Sequence, residues 1–168
     1  VLTVPPVAYR CPPGPYERAA QMAYYLKHHG KNRCKVIILD SNDSFSKKGL
    51  FEQAWAQLYG YGPDGMIEWV PGAQDGKVLR VSCDQRIAHT TFEDHRADVL
   101  NVIPPHHAGK IAVDTGLANA QGWCEVKPQT MESARAPDIY PIGDACIAGE
   151  LPVYDMPKSA HMAMTQAK

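Results

Sequence analysis

The first 70 residues alternate short apolar runs with amphipathic stretches, and that alternation limits the kind of sheet the chain can build. Residues 1–4 (VLTV) form an apolar run that Pro5 and Pro6 stop. Ala19, Met22, Ala23 and Leu26 then recur at the i, i+3, i+4, i+7 spacing of one helical face. Pro15 suits the first turn of that helix, where its missing N–H would be unpaired in any case. Lys27, His28 and His29 bring positive charge to its C-terminal end, and Gly30 closes it. Residues 36–39 (VIIL) read as a second buried strand ending at Asp40. Phe51, Ala54, Trp55 and Leu58 mark a second helical face before Gly60, and residues 66–70 (MIEWV) a third strand. Strands joined through helices run parallel. The expectation is therefore α/β: a Rossmann-like, NAD(P)-type domain.

Residues 77–81 and 86–91 read as a hairpin around residues 82–85, a small antiparallel addition to that domain. Residues 99–103 look like a further strand, stopped by Pro104 and Pro105. From there the pattern changes to turn signals and one short strand, residues 139–142 (IYPI), running into Gly143-Asp144. Two domains are expected: residues 1–103, and residues 104–168 as part of a second. The chain begins inside an apolar run with no leader, so it reads as a piece of a longer protein. Its 17 basic and 18 acidic residues leave a net charge of −1, which excludes nucleic-acid or membrane binding driven by net charge. No apolar run reaches the roughly 18 residues a membrane span needs. The five cysteines, at 11, 34, 83, 124 and 146, have no CxxC spacing, which argues against a zinc ribbon or a thioredoxin-type motif. No metal site is expected: the side chains of adjacent His106 and His107 diverge, and no third ligand is evident. Tyr24, Tyr25 and Trp55 read as core or partial-core aromatics, and Cys34 and Cys83 as bystanders.

The loop after the first strand carries the chemistry. In a dinucleotide-binding unit this loop is glycine-rich, and its N–H groups hold a pyrophosphate. Here five prolines (5, 6, 12, 13 and 15) accompany one glycine, Gly14. Proline has no N–H to donate, so the phosphate cradle is depleted. Asp40 sits where a ribose-binding acid would, though a strand-end acid also caps loops. Cys11 lies in the same loop, next to Arg10 and just before a helix N-terminus; both favour a thiolate. The residues leave two readings of Cys11 open, a reactive nucleophile and a buried structural thiol. Further on, Asp144 follows Gly143 after an apolar stretch, where a carboxylate can bind a polyol and glycine lets backbone approach a ligand. Lys158, in residues 156–159 (MPKS), could place a cation near an electron-rich ring.

Several segments resemble the flavoprotein subunit of flavocytochrome c sulfide dehydrogenase: residues 10–19 (RCPPGPYERA), 35–41 (KVIILDS), 45–47 (FSK), 103–105 (IPP), 108–110 (AGK), 122–124 (GWC), 142–146 (IGDAC) and 156–159 (MPKS). They cover nearly the whole chain, in order. The resemblance implies a two-dinucleotide-domain flavoprotein of the pyridine nucleotide-disulfide oxidoreductase superfamily. Residues 1–103 would be its NAD-like middle domain, and residues 104–168 part of the C-terminal half of its FAD domain. It implies FAD as cofactor, sulfide as substrate, a c-type cytochrome subunit as electron acceptor and a periplasmic location. Cys11 matches one cysteine of a redox-active pair whose partner would lie beyond Lys168. Asp144 matches a residue that binds the flavin's ribityl chain, and Lys158 a position near the flavin ring. Cys124 and Cys146 match family positions without an implied role. Related alternatives are a sulfide:quinone oxidoreductase, a type II NADH dehydrogenase, and a catalytically silent piece that holds no flavin.

Overall fold

The structure is a computed structural model that describes residues 1–148 and 157–168. It is α/β, with three small sheets among the described residues. The chain divides into two compact units, Val1–Pro6 with Pro12–Pro104, and Val7–Cys11 with Pro105–Lys168. Arg10 and Cys11 thus belong with the second unit.

In the first unit, β1 (Leu2–Val4), β2 (Val36–Asp40) and β3 (Ile67–Val70) form a parallel sheet in the order β1-β2-β3. Helices α1 (Gly14–His28) and α2 (Lys48–Leu58) connect them. α1 has proline in its first turn, Glu17 near its N-terminus and Lys27 and His28 in its last turn, matching the helix dipole at both ends. It buries Tyr16, Ala19 and Ala23. Leu2, Ile38, Leu39 and Ile67 are fully buried in the sheet. Gly76 packs at the ends of β2 and β3, where a Cβ would lie 2.0 Å from the Val70 carbonyl oxygen, so only glycine fits.

A second sheet, antiparallel, joins β4 (Arg80–Ser82), β5 (Ile87–His89) and β6 (Asp94–Arg96). The expected hairpin is present, and β6 extends it by a strand the sequence did not announce, because the polar run Asp94-His95-Arg96 has no apolar alternation to read. The strand expected over residues 99–103 is reduced to one bridge, Leu2 to Asn101. There the N–H of Thr3 donates to Asn101 O (3.0 Å) and that of Asn101 to Val1 O (2.9 Å). Tyr24 and Tyr25 are a correction too. Both are about half exposed on the outer face of α1, Tyr24 tilted against His28 and Tyr25 stacked on His29, each with centroids 3.9 Å apart. Trp55 is buried, as expected.

In the second unit, α3 (Lys110–Asp114) precedes a parallel pair, β7 (Cys124–Val126) and β8 (Cys146–Ala148). A 3-10 turn, Gly143–Ala145, enters β8, and α4 (Ala160–Gln166) follows. Ser159 caps α4, its Oγ accepting from the Met162 N–H. Residues 139–142 are not a strand; the strand begins only at Cys146. Pro141 explains the shift, because it cannot donate to a ladder. Ala108, Ala112, Trp123, Cys124, Val126 and Cys146 form the core.

Candidate functional site

At the end of β2 in the first unit, Asp40 is fully buried. Its Oδ2 accepts from the Tyr16 hydroxyl (2.6 Å) and the Trp69 Nε1–H (2.9 Å). Its Oδ1 accepts from the Asn42 N–H (2.9 Å) and Nδ2–H (2.8 Å). The Asn42 bond is the expected loop cap. The other two were not legible in the sequence, since they join residues 24 and 29 positions apart. Phe45 stacks on Tyr16 with centroids 3.6 Å apart and meets Trp69 edge-on at 5.3 Å. The strand-end acid thus has its hydrogen-bonding capacity filled by the chain's own side chains. It has no bond left for a ribose.

The second unit holds a cavity of about 320 Å³, lined by Arg10, His106, His107, Trp123, Asp144 and Lys158 among others. Asp144 leaves the 3-10 turn half exposed and forms an ion pair with Arg10 Nε at 3.3 Å. Arg10 is held from behind, its backbone N–H donating to His106 Nδ1 (3.1 Å). Lys158 is 8% exposed. Its ammonium donates to the carbonyls of Asp144 (2.9 Å) and Cys146 (3.0 Å) and lies 4.0 Å from the centre of the Trp123 ring. The Trp123 indole thus offers the ammonium a cation–π contact. Burial pushes the Lys158 ammonium below the ordinary lysine range, and its neighbours Cys146 and Asp144 oppose that shift.

Gly143 has φ +69°, and a Cβ there would lie 3.0 Å from Ala163 Cβ. Its N–H donates to Gln166 Oε1 at 2.7 Å. The glycine thus meets a conformational and packing demand from α4. Cys124 and Cys146 are buried register partners on β7 and β8, both free thiols, and burial raises both above the ordinary thiol range. Cys34 and Cys83 are exposed. Cys11 is exposed as well, in a left-handed conformation (φ +57°) that is uncommon for a non-glycine residue. Met156 lies outside the described residues. Arg10, His106 and Trp123 were not put forward as lining the site, because only tertiary packing joins residues 10, 106, 123, 144 and 158.

The donor set can be tested against a flavin dinucleotide. A half-exposed carboxylate accepts from hydroxyls, the exposed guanidinium of Arg10 suits a phosphate, and the buried Lys158 charge adds positive potential. The volume is near the lower end for ligand pockets, so the residues fit one segment of such a cofactor. Among the described residues, no group of three or more His, Cys, Asp and Glu is placed to hold a metal ion.

These features define an α/β protein whose second unit presents a carboxylate paired with Arg10, beside a buried lysine that holds the Asp144 carbonyl. The family model described as sulfide dehydrogenase (flavocytochrome c) flavoprotein chain, central, matches residues 1–104, and the chain belongs to that family. The match includes Arg10, Cys11 and Asp40, and stops before Asp144 and Lys158. It brings with it a flavoprotein of the oxidoreductase class. Among the described residues no helix is long and apolar enough to cross a membrane.

Proposed function

We propose that the chain serves in oxidising sulfide, with Cys11 as the sulfur-reactive residue, FAD as the electron carrier and a c-type cytochrome as the acceptor, in the periplasm. The observation that carries this reading is that exposed Cys11 falls in the same compact unit as the Arg10–Asp144 pair and Lys158. A sulfur that sulfide is to attack must be accessible, and Cys11 is exposed. The first unit is read as a Rossmann-type domain from its β1-β2-β3 parallel order. Its Asp40, saturated by Tyr16, Trp69 and Asn42, supports a domain that keeps the architecture and does not take NAD as acceptor.

In this reading HS⁻ attacks the sulfur of Cys11 while that sulfur is bonded to a second cysteine, which the resemblance places beyond Lys168. The S–S bond breaks, one sulfur leaves as a thiolate and a persulfide forms. A bound FAD would supply a two-electron acceptor that can also give up electrons one at a time. Asp144 would hold such a cofactor by accepting from hydroxyls, and Arg10 would offset phosphate charge. Lys158 holds a positive charge at the cavity wall, fixed by two carbonyls and the Trp123 face.

The test is Cys11→Ser in the full-length flavoprotein, followed by the flavin absorbance on adding sulfide. The expected result is loss of sulfide-dependent bleaching with the flavin still bound. Bleaching at the wild-type rate would overturn the role of Cys11. Parallel assays with cytochrome c, a quinone and NAD as acceptors separate this reading from the quinone and NADH alternatives.

A further inference from the structure

The antiparallel sheet holds a hydrogen-bonded relay remote in sequence from Cys11, Asp144 and Lys158. Arg80 pairs with His89 across β4 and β5, and His89 with Asp94 across β5 and β6, so these residues share one face; Ser82, two residues from Arg80, lies on it as well. Ser82 Oγ is 2.8 Å from His89 Nε2, and His89 Nδ1 is 2.5 Å from Asp94 Oδ1. Arg80 donates from a guanidinium nitrogen to Ser82 Oγ at 2.8 Å.

Counting donors and acceptors fixes the proton positions. A carboxylate only accepts, so Nδ1 of His89 carries the hydrogen that Asp94 takes. In the neutral ring Nε2 is then an acceptor. Arg80 occupies a lone pair of the serine oxygen, so the single hydroxyl hydrogen points to Nε2. A nucleophile within hydrogen-bond reach of a base, with the base oriented by a third group, is the arrangement that activates a serine. His89 is mostly covered, which holds its ring in place, while Asp94 and Arg80 lie open to solvent.

We propose that Ser82 is an activated nucleophile that takes an acyl group from small, unhindered esters, with His89 as its base and Asp94 as a positioning residue. In the acyl-transfer step, Oγ bonds to the ester carbonyl carbon while His89 Nε2 takes the hydroxyl proton. The ester C–O bond breaks and the leaving alcohol receives that proton. Water then adds to the acyl-serine, with its proton passing through His89, and releases the acid. Arg80, beside Oγ, is placed to stabilise the negative oxygen that forms next to it.

The experiment treats the folded chain with a fluorophosphonate probe, locates the adduct by peptide mass spectrometry, and follows release of 4-nitrophenol from 4-nitrophenyl acetate. The adduct is expected on Ser82 and absent from Ser82→Ala. General-base assistance contributes about 10²–10⁴ in rate, so His89→Ala should slow labelling by about a hundredfold or more. Asp94→Asn should also slow it, and Asp94→Glu should restore part of the rate, which a purely structural role for Asp94 would not produce. Cys83→Ser, next in sequence, should label as the wild type does. Circular dichroism identical to wild type keeps each variant interpretable. No adduct on Ser82, or equal labelling of the folded wild type, the His89→Ala variant and the urea-unfolded chain, would overturn the proposal.

Discussion

Replacing Asp40 with alanine tests the claim that the acid at the end of β2 serves the chain's own aromatics. The carboxylate accepts four hydrogen bonds, and the donors differ in what happens when it is removed. Asn42 is partly buried and can turn to water. Tyr16 is fully buried and Trp69 partly so, and their O–H and N–H would be left without this acceptor. Losing a buried bond of this kind costs about 1–3 kcal/mol, and two are lost to the aromatics, so Asp40→Ala should destabilise by about 2–6 kcal/mol, a large share of a typical domain's stability. With a urea slope of about 2 kcal/mol/M, a 4 kcal/mol loss lowers the midpoint by about 2 M. Urea unfolding followed by tryptophan fluorescence reads this directly, since Trp69 is one of the donors. Tyr16→Phe should cost about 1.5–3 kcal/mol, the range for a bond to a charged group. The two single variants each lose the same Tyr16–Asp40 bond, so the loss in the double variant should fall short of their sum by about 1–2 kcal/mol. A loss below about 1 kcal/mol for Asp40→Ala, or additivity within about 0.5 kcal/mol, would refute the reasoning.

Two further predictions concern the second unit. Gly143→Ala imposes a left-handed φ on a side chain that also meets Ala163 at 3.0 Å, and should cost at least about 1–2 kcal/mol, read as a lowered unfolding midpoint. Burial lowers the folded-state pKa of Lys158, so between that value and the ordinary lysine value of about 10.4 the unfolded chain binds more protons. Stability therefore rises with pH across that window. The difference in unfolding free energy between wild type and Lys158→Met should climb with pH and level off above it; a flat difference would show that burial does not strain the ammonium.

Local pattern announced much of the first unit. The apolar runs of β1, β2 and β3, and the 3.6-residue spacing of Ala19, Met22, Ala23 and Leu26, are set by neighbours along the chain. So is the loss of phosphate donors in a loop with five prolines. Expectations failed where a partner outside the local stretch decided the outcome. Residues 99–103 have strand composition but meet β1 through one bridge. Tyr24 and Tyr25 are apolar enough for a core, yet they sit on the solvent side of α1, because its inner face is filled by Tyr16, Ala19 and Ala23.

The candidate site divides in the same way. Cys11, Gly143, Asp144 and Lys158 stand out in sequence because each sits beside proline, glycine or a strand end. That Lys158 caps two carbonyls over Trp123 and that Asp144 pairs with Arg10 depends on contacts across the second unit, and that Ser82, His89 and Asp94 form a relay depends on the strand register. A sequence specifies which groups can donate, accept or ionise. Only tertiary packing determines which of them come within 3 Å of one another and shut out the water that would otherwise satisfy them.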